Sequence, residues 1–157
     1  MSNPPSGQDR HANESDLPQE RHGDFPEVRV GSDDLPPAEV LRGSDLFNNG
    51  AFFECHEELE LAWRAEADSV RELYQGILQV GVGFYHQSRG NHHGAVTLLE
   101  RGLRRLGRLP DLCRGVDVAT LRAEATRCRD ELVKLGPGRI DEFDRTLIPR
   151  IGLGRGK

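Results

Sequence analysis

From residue 37 onward, apolar positions recur at intervals of three and four, the spacing that gathers side chains on one face of an α-helix. Val40, Leu41 and Phe47 predict a first helix over about 37–48, which Gly43 weakens. Phe52, Phe53, Leu59 and Trp63 predict a second over 51–65, and Leu73, Ile77, Val80 and Phe84 a third over 70–89. A fourth is expected over 94–108, and Leu121, Ala125, Cys128 and Leu132 fall on one face of a fifth over 118–135. No strand-like alternation of useful length interrupts this pattern. Residues 1–34 differ: they are rich in Pro, Gly, Ser, Asn, Asp and Glu and have no apolar period. Too little surface can be buried there to offset the entropy of ordering, so a disordered acidic tail is expected.

Local chemistry marks the ends of these elements. Pro36 and Pro37 suit a first helical turn, which needs no proline N–H. Asn49-Gly50 and Gly90 read as helix stops, since glycine accepts the left-handed conformation after a helix end. Asp68 or Ser69 is the candidate cap of the third helix, Asn91 of the fourth and Asp117 of the fifth, which Gly136-Pro137 closes. The expected architecture is an all-α helical bundle of two antiparallel helix hairpins plus a C-terminal helix. It forms one domain over 35–150, followed by a flexible C-terminus at 151–157. Laying Gly50 on Gly90 aligns Cys55 with Ala95, Leu59 with Leu99, Glu60 with Glu100 and Trp63 with Leu103, an internal echo of about 40 residues. The second hairpin also looks like one tetratricopeptide unit.

Charge narrows the function classes. The formal net charge is -5, but residues 1–39 hold nine Asp/Glu against three Arg and account for -6, leaving +1 on the rest. A near-neutral body lacks the cationic surplus that displaces counterions from nucleic acid, so no nucleic-acid partner is expected. Cys55, Cys113 and Cys128 form no CxxC pair, which argues against a disulfide framework or a cysteine zinc site. No apolar run resembles a signal peptide or approaches the roughly 20 residues of a membrane span. The expectation is a cytoplasmic protein with no membrane partner.

The candidate chemistry lies inside the apolar pattern. His56 is central to the stripe of Phe52, Phe53, Leu59 and Trp63, with Glu60 one turn on, while Glu54 and Glu58 point to solvent. The third helix is apolar nearly all round except for Glu72, Gln75, Gln79 and His86, and Gly76, Gly81 and Gly83 interrupt it. Each glycine costs about 1 kcal/mol relative to Ala, a cost that close helix approach would offset. If the two polar stripes face each other, they form a cluster with two explanations. Its members satisfy one another's hydrogen bonds, or they serve a ligand. In the second case His56, Glu60 and His86 are candidate ligands of a divalent metal, Glu57 is a candidate base, and Gln75 and Gln79 are candidate ligand contacts. The segment HEELE is not HExxH, and the ExxH pairs of di-iron bundles are missing. His92 and His93 read as solvent-facing or capping. Arg101, Arg104, Arg105 and Arg108 complement the end of the fourth helix, with the acidic outer face of the second as their natural partner.

Three motifs in order, FNNGAFFECHEELELAW, YQGILQVGVGFYH and RGNHHGAVTLLERGLRRL, resemble the domain of unknown function 309 family of small bacterial and archaeal all-helical proteins. The resemblance covers about residues 40–109. It places the family pattern on Phe47, Gly50, Phe53, Glu54, His56, Glu57, Leu59, Glu60, Trp63, Gly76, Gln79, His86, Asn91, Gly94 and Ala95, with Cys55 standing where Ala is expected. It implies a helical fold and no established activity. Two functional readings follow. One is a non-enzymatic helical-hairpin module that self-associates or binds a protein or small-molecule partner. The other is a metal-dependent hydrolase built on His56, Glu60 and His86.

Overall fold

The computed structural model describes residues 36–153, and the expected disordered segment 1–34 lies outside them. Five α-helices carry the fold: α1 Ala38–Asn48, α2 Phe52–Ala65, α3 Arg71–Ser88, α4 His92–Leu106 and α5 Val118–Leu135. They pack against one another around a single apolar cluster, most extensively where α3 meets α4. The architecture is the expected all-α bundle, with each helix within a few residues of its expected bounds.

Helix ends follow local chemistry. Gly50 and Gly90 sit at φ 80° and 78°, so each α1–α2 and α3–α4 turn passes through the left-handed region that glycine enters without a Cβ clash. Asn91 Oδ1 accepts from the Gly94 amide at 2.9 Å, and Asp117 Oδ1 from the Thr120 amide at 3.1 Å. The start of α3 is different. Its cap position falls on Val70, which offers no side-chain acceptor. The Arg71 and Glu72 amides instead donate to the main-chain carbonyls of Asp68 and Ser69.

Between α4 and α5 lies a two-stranded hairpin, β1 Leu112–Cys113 and β2 Val116–Asp117. Two-residue strands are too short for alternation to mark them. Their turn passes through two left-handed residues, Arg114 at φ 51° and Gly115 at φ 78°, the pairing that tight hairpins use. After α5 the chain makes two 3-10 helices, Pro137–Glu142 and Arg145–Leu147, and then returns to the bundle. Ile151 is buried, and Leu153 bridges to Val116, so hydrogen-bonded chain continues past residue 150.

Successive helices are antiparallel. Gly43 lies against Leu59 while Arg42 pairs with Glu58 at 3.1 Å, joining α1 to α2. Phe52 packs on Phe84, and Arg71 lies over Trp63, joining α2 to α3. Helix α3 is the central element: every residue from Leu73 to Phe84 is buried. Its glycines set the spacing to α4, since a Cβ on Gly76 or Gly83 would come within 2.9 Å of Leu106 or Leu99. Gly81 differs, because a Cβ there meets Phe47 and Cys55 only at ordinary distances of 3.6 Å or more.

Candidate functional site

His56 is buried on the inner face of α2, with its Nε2 3.8 Å from Glu60 Oε1. Glu60 is half-buried, and its other oxygen accepts from Arg64 at 2.5 Å. One helical edge therefore carries an imidazole, a carboxylate and a guanidinium in steps of four, from core to solvent. Phe52 is buried, whereas Phe53 and Trp63 are half-buried: Phe53 packs on Tyr85 at 5.7 Å between centroids, and Trp63 carries the Arg71 guanidinium at 4.0 Å. Glu54 and Glu57 are exposed, and Glu58 is half-buried with Arg42.

Helix α3 meets its two neighbours along different lines. Residues 76, 80 and 83 face α4, while 81, 84 and 85 face α2 and Phe47. At about 100° per residue, Gln75, Gln79 and His86 sit roughly 90° from the first direction, and Arg71, which also meets α2, lies between them and the second. Phe53 packs on Tyr85, next to His86, while Phe52–Phe84 and Trp63–Arg71 set the antiparallel register of α2 on α3. Among the described residues, no group of three or more His, Cys, Asp or Glu side chains is gathered that could hold a metal ion.

Each member of the α3 stripe has a local setting. Glu72 forms an ion pair with Arg105 of α4, both ends largely buried. Of the arginine run, Arg105 thus meets α3. Gln87, also buried, accepts from Arg145 in the C-terminal segment. His86 Nδ1 lies 3.2 Å from the Asn91 amide nitrogen, and its ring lies where a Cβ on Gly94 would clash at 2.9 Å. Gln75 and Gln79 are buried, and the Gln79 side-chain oxygen makes no hydrogen bond to any described residue.

Two further histidines and the thiols complete the inventory. His92 was expected at the surface or as a cap. Instead its Nε2 lies 2.8 Å from the Leu132 carbonyl, tying the start of α4 to the end of α5, while His93 is exposed. All three cysteines are buried. Burial pushes the Cys55 thiol far above its ordinary value, Cys128 up to about 12 and Cys113 up to about 11, so none offers a thiolate near neutral pH.

One polar set has no counterpart in the sequence pattern: Glu66 after α2, Arg71 and Tyr74 on α3, and Arg114 in the β1–β2 turn. Arg114 lies about 40 residues from its neighbours, beyond the reach of any helical period.

Residues 40–98 match the family model of the Domain of unknown function (DUF309). A relative from Aquifex aeolicus (strain VF5), named an uncharacterized protein, is 25% identical over 88 residues, covering 55% of this chain and 26% of the relative. The uncharacterized protein YpuF of Bacillus subtilis (strain 168) is 39% identical over 54 residues, covering 34% of this chain and 31% of the relative. Each match spans less than a third of the relative's length. The family match runs from α1 into α4 and contains the His56–Glu60 edge, the first two sequence motifs and the start of the third.

Proposed function

We propose that the chain is a non-enzymatic helical-hairpin module, self-associating or binding a partner, in which the polar residues of the core fix the packing. One observation carries this reading: polar groups of α3 are committed to other elements. Glu72 binds Arg105 of α4, Gln87 binds Arg145 of the C-terminal segment, and His86 meets Asn91 in the α3–α4 turn. Such ties specify which helix faces which neighbour. The matching turns at Gly50 and Gly90 support the hairpin part of the reading, including its likeness to a tetratricopeptide unit.

A metal-dependent hydrolase is the second reading. The approach of His56 to Glu60 favours it, with His86 as third ligand, Glu57 as base and Gln75 and Gln79 toward the substrate.

Metal content by mass spectrometry separates the two, combined with thermal midpoints before and after a chelator for the wild type and His56→Ala. The module reading expects no stoichiometric metal, no chelator effect and a loss of about 1–3 kcal/mol in the mutant. Stoichiometric divalent metal that disappears in His56→Ala overturns it. Light scattering over a concentration series then tells self-association from binding of a different partner.

A further inference from the structure

At the α2–α3 turn, far from the Phe52 end of α2, two pairs of residues three apart in sequence come together. Trp63 and Glu66 come from the end of α2, and Arg71 and Tyr74 from the start of α3. The Arg71 guanidinium stacks 4.0 Å over the Trp63 ring. Arg114 enters from the β1–β2 turn, where it is the one non-glycine residue among those described with a left-handed backbone, and its Nη1 lies 3.7 Å from Glu66.

Tyr74 is wholly buried. Its hydroxyl, the Nε of Arg71 and the Nε of Arg114 are all inaccessible to solvent, and none makes a hydrogen bond to any described residue. Burial pushes the Tyr74 phenol up to about 12, with Glu66, Cys113 and Glu39 adding to the rise and Arg114 opposing it. The phenol therefore keeps its proton near neutral pH and has it to donate. All three groups require the same thing, an acceptor. Leaving buried donors unmet is costly, and a guanidinium stacked on an indole presents its in-plane edge to whatever lies beside it.

We propose that Trp63, Arg71, Tyr74 and Arg114 form a binding site for a small oxyanion, a phosphate group or a carboxylate, held by the Tyr74 hydroxyl and the two guanidinium edges. Glu66 is the resting counter-ion. At 3.7 Å it pairs loosely with Arg114, and Glu39 supplies a second nearby carboxylate. Two cations and two carboxylates balance without a ligand, so the site takes a small anion of low charge by directed hydrogen bonds rather than by net attraction. The site is independent of the His56–Glu60 edge and of either reading of it.

The test is the thermal midpoint of the full chain titrated through the millimolar range with sodium phosphate and, separately, sodium acetate, with sodium chloride at matched ionic strength as control. A saturable rise over chloride is expected with at least one oxyanion. The one that saturates at the lower concentration identifies the head group. Tyr74→Phe keeps the ring and removes only the unpartnered hydroxyl, so the free protein should be at least as stable as wild type. Its apparent Kd for the oxyanion should rise about tenfold or more, and Arg114→Gln should weaken the response in the same direction. No saturable rise over chloride in the wild type, or an undiminished response in both variants, overturns the proposal.

Discussion

At the scale of single residues, the Glu72–Arg105 pair joins α3 to α4. Both side chains are largely withdrawn from water, 15% and 5% exposed, so neither can be rehydrated cheaply when its partner is lost. We expect Glu72→Ala to destabilise the protein by about 2–4 kcal/mol, below the range for a wholly buried pair because Glu72 keeps some access to solvent. The double substitution Glu72→Leu with Arg105→Met removes both charges and keeps apolar volume, so it should cost far less than Glu72→Ala alone. Urea unfolding at unchanged m-value measures both. Equal costs for the single and double variants would mean that shape at this contact matters more than charge.

At the scale of elements, the glycines of α3 and α4 do different work at different positions. A Cβ on Gly102 would lie 2.7 Å from Val80 Cγ2, 2.8 Å from the Gly76 carbonyl and 3.0 Å from the Val80 amide. Two of those atoms are backbone, so α3 and α4 must separate to admit an alanine. Gly102→Ala should therefore lose about 1–3 kcal/mol net of its gain in helix propensity. Gly81→Ala meets only ordinary contacts and should gain about 0.5–1 kcal/mol, the usual benefit of removing a mid-helix glycine. Thermal or denaturant midpoints check the opposite signs, and a loss in both would mean that α3 tolerates no Cβ on either face. The same helices separate what was legible in the sequence from what was not. Gly50, Gly90, Asn91 and Asp117 end or begin helices through contacts within a few residues, so the local sequence announces them. Helical periodicity also isolates the stripe of Gln75, Gln79 and His86, but an angle on one helix does not say which neighbour occupies it. Contacts with α2 fall on Arg71, Gly81, Phe84 and Tyr85 of α3, a set the wheel of one helix does not single out.

At the scale of the whole molecule, the returning C-terminal segment ties together elements that the helical hairpins leave apart. Arg145 reaches Gln87, Leu147 O accepts from the Cys128 thiol, and the Gly152 carbonyl accepts from the Asp117 amide. Asn48 is the clasp at the far end. Its Oδ1 accepts from the Ile151 amide at 2.7 Å, and its Nδ2 donates to the Ile151 carbonyl at 3.1 Å. These partners stand 103 residues apart, and residues 148–153 show neither period nor turn signal that would point to α1. The pattern alone therefore gives no reason to expect order at 151. Such a contact orders the chain between its ends only after the bundle has formed, so its loss should be felt locally first. We expect Asn48→Ala to lower stability by about 1–3 kcal/mol through the two hydrogen bonds. Amide exchange at Ile151 and Asp117 should accelerate by a larger factor than exchange within α3 and α4. Uniform acceleration across all helices would instead mean that the clasp and the bundle unfold as one cooperative unit, and that the C-terminal segment belongs to the core rather than strapping it.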